Sequence, residues 1–405
     1  MKLKTLQRVA LCILFFSINF EVWDPLNTDG SFSISSATGY FYLVTVIYQL
    51  PAFLKMSSLK SYLWPLITFF LFLSVMNFLN MNSVSSVFIN LSILQNIILL
   101  IILINHERRD PGVLQKGMVW FAVGSIVLAI FFQLGIGVSY DSARVTVFGD
   151  NQNSIGVKES ISVLVLLLLV FKNNLRLGRW RFFLLLSIPI MLLLMAQTGS
   201  RTAFFSFSLM FVSSLFLVKA KHSYYKLFTF MFGLIIGYFI WQYLASSEIL
   251  YSRLILTEQK LDLGGRDRVW DNVIPFVKEN IIFGKGESGY TEYMTNITGA
   301  FYSPHNVILE VLAYTGILGL FLYLLFLYKV FVISQRKYKE DGSIIQLLLL
   351  IPILGLLLSG QLLNVKIGYI VFAFCLSGIF SLRRRKRRNR KEEIEIYSTI
   401  KLESV

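Results

Sequence analysis

Long apolar runs, not alternating apolar and polar positions, dominate this chain. A helix needs about 20 apolar residues to cross the hydrocarbon core of a bilayer, and about twelve windows approach that measure. They are Val9–Val22, Gly39–Leu54, Tyr62–Leu79, Val84–Ile104, Gly117–Val138, Ile155–Phe171, Phe182–Met195, Thr202–Val218, Leu227–Leu244, Val307–Val330, Ile344–Leu363 and Gly368–Leu382. The first is short and follows Lys2, Lys4 and Arg8, as a signal peptide would. No small-x-small cleavage site comes after it; Glu21-Val22-Trp23-Asp24-Pro25 stands there instead, so the window reads as a retained helix. The expected fold is an all-α polytopic membrane protein with about twelve transmembrane helices.

Basic residues in short loops set orientation. Counting from a cytoplasmic N-terminus, the inner loops carry Lys55 and Lys60, then Arg108, Arg109 and Lys116, then Lys172, Arg176, Arg179 and Arg181. Lys219, Lys221 and Lys226 follow, then Arg336, Lys337 and Lys339. The short outer loops hold only Arg144, Arg201 and Lys366. One miscounted helix would invert the pattern from that point on, so the agreement supports both the count and cytoplasmic termini. The chain divides into residues 1–244 (helices one to nine), an extracytoplasmic loop 245–304, residues 305–382 (helices ten to twelve) and a basic cytoplasmic tail 383–405.

The long loop is polar and glycine-rich, yet it contains Trp270, Phe276, Phe283, Tyr290, Tyr293, Phe301 and Tyr302, too many aromatics for disorder. Val269, Val273, Phe276 and Val277 share one helical face. A small, partly helical cap on the outer face is expected.

Composition agrees with this picture. The chain is 55% hydrophobic and only 15% charged, against roughly 25% charged in soluble domains. Its net charge of +15 does not point to nucleic acid, because eight basic residues lie in one run, Arg383 to Lys391, directly after the last apolar window. Such a run suits anionic membrane lipid, each basic residue contributing about 1 kcal/mol near the surface. The two cysteines, Cys12 and Cys375, lie inside apolar runs and offer neither a disulfide framework nor a thiolate metal site.

A membrane protein advertises function by the polar groups it keeps near the bilayer. Three stand out, all on the outer side. Arg201 opens the eighth window in Gln197-Thr198-Gly199-Ser200-Arg201-Thr202, Arg266 stands in Gly264-Gly265-Arg266-Asp267-Arg268-Val269-Trp270, and His305 stands in Ser303-Pro304-His305-Asn306. Taken singly, each has an ordinary reading. Arg201 could snorkel to lipid phosphate, Arg266 could pair with Asp262 or Asp267, and His305 could be a helix-entry residue. Trp270 and Tyr302 could be interfacial aromatics. Together, two arginines and a histidine on one face suit a phosphate-bearing, lipid-linked substrate. Guanidinium matches phosphate oxygens bidentately, imidazole can take a proton from an acceptor hydroxyl, and fixed cations favour departure of a diphosphate. No Asp-x-Asp pair occurs, and Asp262, Asp267, Asp271, Glu287 and Glu292 lack ligand-like spacing, so neither metal nor cofactor is expected.

At these residues the chain resembles the O-antigen ligase and polymerase (Wzy/WaaL-type, O-antigen ligase-related) family. The resemblance rests on His305-Asn306 followed by Gly316-Ile317-Leu318-Gly319, on Ser200-Arg201-Thr202-Ala203, and on Gly265-Arg266…Trp270 followed by Ile282-Phe283-Gly284-Lys285-Gly286. Asn151-Gln152-Asn153 adds a less specific feature. It covers about Gly149 to Leu320. The resemblance implies a GT-C-like, inverting glycosyltransferase in a bacterial inner (plasma) membrane, with undecaprenyl-diphosphate-linked oligosaccharide as its donor. By position, Arg201 and Arg266 would hold the diphosphate, with Arg268 a near neighbour able to take that role, and His305 would orient or deprotonate the acceptor. Asn306 and Trp270 would support the site, and Glu310, about one turn on, could hold the second nitrogen of His305 or make an unrelated helix contact. Expected partners are membrane lipid and chain-length regulator or flippase proteins. A polymerase, joining lipid-linked repeat units, is favoured over a ligase that transfers the chain to a lipid A core sugar or to a protein. A lipid-linked sugar transporter is the reading from another class; Lys158 and Glu159 in the sixth window are its main support, and no internal repeat accompanies them.

Overall fold

The computed structural model describes residues 3–26, 28, 32–80, 86–141, 144–170, 177–217, scattered positions between 231 and 255, 266–359 and 362–382. The ninth window, Leu227–Leu244, lies largely outside these residues, and the Arg383–Lys391 run entirely so. The described chain is mostly helical. Seven helical segments in it are long and apolar enough to cross a membrane: Leu3–Phe20, Lys60–Leu79, Leu91–Arg109, Val113–Gln133, Gln152–Leu169, Trp180–Gln197 and Val307–Asp341. Arg201–Leu217, Ile345–Leu358 and Lys366–Leu382 are shorter apolar helices.

In chain order, α1 (Leu3–Ser17) runs through a 3-10 turn into the first polar loop. The second window is broken into α2 (Ile34–Val46), a 3-10 turn and α3 (Leu50–Phe53). Pro51 at the start of α3 has no amide with which to continue the helical ladder. Next come α4 (Lys60–Leu79), α5 (Ser86–Arg109) and α6 (Val113–Gln133). An antiparallel hairpin, β1 (Val138–Asp141) and β2 (Arg144–Val147), then departs from the all-α expectation. Gly135 and Gly137 turn the chain out of α6 in the left-handed region, and Val138, Val145 and Val147 supply β-branched residues for the pair. The hairpin is followed by α7 (Gln152–Val165), α8 (Trp180–Leu186), α9 (Ile188–Gln197) and α10 (Arg201–Leu217). The cap helices are α11 (Arg266–Glu279) and α12 (Gly286–Thr298), and α13 (Val307–Asp341), α14 (Ile345–Ser359) and α15 (Lys366–Leu376) complete the bundle.

Side-chain contacts fix the direction of these helices. Tyr338 Oη near the end of α13 donates to Leu217 O at the end of α10 (3.0 Å), and Lys337 Nζ donates to Ser381 Oγ beyond α15 (3.0 Å). The helices α10, α13 and α15 therefore run parallel, with Arg201, Val307 and Lys366 at their common starting end. Glu21, after α1, pairs with Lys366 there (3.4 Å). Asn77, near the end of α4, accepts from the Glu287 amide that opens α12. At the opposite end Arg8 and Lys4 of α1 bind Asp110, just past α5, and the Arg8 hydrogen bond, outweighing burial, holds the Asp110 carboxyl below its usual range.

A backbone crossing seats the cap on the bundle. Gly316 breaks α13 with φ 60° and ψ −163°, a conformation open essentially only to glycine. The Ile281–Lys285 segment passes through that break: Ile317 N donates to Ile281 O (2.8 Å) and Lys285 N donates to Ala313 O (3.0 Å). A Cβ at Gly316 would collide with the Ile282 backbone, and one at Gly284 with the Tyr314–Thr315 backbone. The paired glycine motifs thus serve close approach of two chain segments.

Candidate active site

Pro304-His305-Asn306 forms the turn into α13, and Asn306 is its cap: Oδ1 accepts from Ile308 N (2.9 Å) and Leu309 N (3.3 Å). His305 has φ 50°, an uncommon left-handed conformation for a residue with a side chain. Strain of this kind costs of order 1–3 kcal/mol and persists where surroundings enforce it. Three contacts do so. Trp270 Nε1 donates to Pro304 O (2.9 Å), Tyr290 Oη donates to Tyr302 O (2.7 Å), and the His305 amide donates to Ser303 Oγ (3.3 Å).

Arg266 is the first residue of α11, and Trp270 is one turn further on the same face. The Trp270 bond to Pro304 therefore turns that face toward His305. Burial, and then the charge of Arg266, hold the imidazole below its ordinary pKa. The residue as a whole is nonetheless exposed. A neutral imidazole is the form that can accept a proton. Arg268 lies about 200° round the helix from Arg266 and is exposed. The structure brings Arg266, Trp270 and His305 together and leaves Arg268 on another side.

Arg201 opens α10 after a tight turn in which Gly199 has φ 58°. Ser200 Oγ donates to Asn153 Oδ1 (2.9 Å), and Arg144 in β2 donates to Thr198 O (2.8 Å) and Asn153 Oδ1 (3.3 Å). Asn151 caps α7, which places Asn153 for this role. Gly156 lets α10 close on α7, since a Cβ there would strike Ala203. Lys158, read as possible support for a transport path, is buried in an ion pair with Asp150 (2.7 Å) just below. Arg201 and His305 share the starting end of the bundle. Both arginines open helices, where a cation opposes the dipole and a bound anion would reverse that penalty. Below Arg201 a cleft of about 370 Å³ follows α10 through Phe204, Phe207, Phe211 and Leu215, with Tyr238 and Trp241 opposite.

Glu310 does not hold the second nitrogen of His305. It is buried, with Oε1 accepting from Tyr314 Oη (3.5 Å) and Oε2 making no hydrogen bond among the described residues. The helical phase explains this: Glu310 shares a stripe with Tyr314 that faces α12, where Tyr290 meets Tyr314 (5.8 Å between ring centres). Glu287, weighed in the sequence only as a metal ligand, is a second buried carboxyl, this one in the cap. Burial at the start of α12 pushes its carboxyl up to about 7. Its signal was its position directly after the Gly284-Lys285-Gly286 motif.

These features define a multi-helix membrane protein in which Arg201, Arg266 and His305 lie at one end of the bundle, with a two-helix cap. Residues 186–324, which include Arg201, Arg266, Arg268, Trp270, His305, Asn306 and Glu310, match the family model described as O-Antigen ligase (Wzy_C). That stretch, about a third of the chain, is therefore similar to O-antigen ligases and carries the residues singled out above. No curated protein sequence gives a match to the chain.

Proposed function

We propose that the protein polymerises lipid-linked oligosaccharide repeat units on the outer leaflet of a bacterial inner membrane. Its donor is an undecaprenyl-diphosphate-linked oligosaccharide, and its acceptor is a hydroxyl of a second lipid-linked unit. The observation that carries this reading is His305, in a left-handed conformation on a turn gripped by Trp270 of the cap, with the Arg266 charge acting on its imidazole. His305 removes the acceptor proton as that oxygen bonds to the anomeric carbon. The bond from that carbon to the diphosphate oxygen breaks, and its electron pair leaves with the lipid diphosphate. Attack from the face opposite the leaving group inverts the centre. Arg266 and Arg201 stabilise the departing charge, a role that needs no metal. The cleft along α10 suits an isoprenoid tail. A second apolar cleft of about 230 Å³, between Leu14, Tyr40, Leu43 and Leu99 with Lys366 at its edge, lies at the same end. Two such clefts support a reaction between two lipid-linked substrates.

The family description favours a second reading, ligation to a lipid A core sugar. Purified protein given lipid-diphosphate-linked repeat units, with and without core acceptor, in the presence of chelator, separates the readings. Ladders without core support polymerisation, and a single shift of core supports ligation. Loss of transfer in chelator overturns the metal-free mechanism. Movement of labelled lipid between leaflets without transfer favours a transporter.

A further inference from the structure

The cap carries a second concavity that the chemistry above does not use. A polar cavity of about 380 Å³ lies between the end of α4, the C-terminal half of α11 and α12. Asn80, Glu279, Lys285, Glu292 and Asn296 line it, with the rings of Phe276 and Tyr293 on its wall. An aromatic partition divides it from the His305 turn. Phe276 packs edge-on to Tyr290 (5.6 Å) and against Tyr293 (4.6 Å). Tyr290 reaches the histidine turn through Tyr302 O, whereas Tyr293, three residues later, faces the cavity.

The lining selects against a phosphate. Among the described residues it holds two carboxylates against one ammonium and no guanidinium, the reverse of the His305 side. What it offers is a set of groups suited to hydroxyls and acetamides. Carboxylate and amide oxygens accept from O–H and N–H, while amide and ammonium groups donate to ring and hydroxyl oxygens. A tyrosine ring supplies an apolar face. The volume lies within the range of small-ligand sites. Ten residues of α11 separate Phe276 from Arg266, about 15 Å of rise. That distance is too far for the reacting sugar and within reach of another unit on the same chain.

We propose that this cavity binds an uncharged, hydroxyl- or acetamido-bearing sugar of the oligosaccharide, remote from the bond being made. The proposal rests on the glycosyl-transfer reading and adds to it a subsite that grips the chain. The carboxylates disfavour uronic acids and other anionic sugars at this position.

The full-length protein in detergent is applied to an array of phosphate-free oligosaccharides comprising neutral, N-acetylated and uronate-containing members. Inorganic pyrophosphate serves as competitor. Neutral or N-acetylated glycans are retained, and pyrophosphate does not displace them. Retention falls at least tenfold in a Glu279→Gln/Glu292→Gln variant, in which both changes are at exposed positions, and again in Asn296→Trp, which fills the space. Retention of no glycan, retention of uronates alone, displacement by pyrophosphate, or undiminished binding in both variants overturns the proposal. A transfer assay run alongside keeps the two ideas apart. Glycan retention without any transfer overturns the catalytic reading and leaves the subsite standing. Transfer with an unchanged KM in the double variant overturns the subsite and leaves catalysis standing.

Discussion

The two flanks of the cap are made from the same two helices and differ in almost every physical respect. On the His305 flank, cationic groups stand at helix starts and the backbone is held in a strained conformation. On the other flank, the two helices present a surplus of carboxylates around an open cavity. Strain and unfavourable dipole placement cost stability, and such costs concentrate where charge must be stabilised in a transition state. A surface that only grips a ligand has no such requirement. The contrast teaches that bond breaking and chain recognition can occupy one small cap if an aromatic wall keeps opposite charges apart.

The sharpest way to break the comparison is His305→Asn. Asparagine tolerates the left-handed backbone but offers no base, so kcat falls by about 10²–10⁴ while the protein stays folded and glycan retention is unchanged. Full activity in that variant removes the general base. Arg266→Ala comes next, with a loss of about 10²–10³ in kcat if it stabilises the leaving group as an oxyanion donor would. It also carries a signature in pH. Removing a neighbouring positive charge lets the imidazole protonate more readily, so the acid limb of the rate profile moves to higher pH. An acid limb that stays in place means Arg266 does not act on His305. Gly316→Ala strikes both flanks, because the seat of the whole cap is lost; strain alone costs about 1–3 kcal/mol, read as a lower melting temperature in detergent with both transfer and glycan retention weakened. Arg268→Ala is the smallest change, within about 0.5 kcal/mol in stability and close to wild type in rate. A loss as large as that of Arg266→Ala would exchange the roles of the two arginines.

Much of this was legible in the sequence because the bilayer imposes a long, simple signal. The starts of α4, α10, α13 and α14 fall close to the apolar windows. The side of the membrane shared by Arg201 and His305 followed from loop charge, and the parallel course of α10 and α13 agrees with it. The hairpin escaped notice because two four-residue strands are too short to outweigh the apolar runs on either side. The His305 conformation and the separate facing of Arg268 depend on Trp270 reaching Pro304, a contact that spans 34 positions. Glu279, Glu292 and Asn80 come from α11, α12 and the residue just past α4, and no spacing along the chain announces that they line one cavity.

The break at Gly316 has an evolutionary corollary. The seat of the cap beside the His305 turn is set there by main-chain bonds, Ile317 N to Ile281 O and Lys285 N to Ala313 O, which are indifferent to most side chains. Ile282 and Phe283 between them are more than half exposed. On the reading proposed above, mutations along this stretch and around the cavity can therefore drift to suit new sugars without displacing the His305 turn. A single scaffold of this kind could diversify with the surface polysaccharides of its hosts while its chemistry stayed fixed.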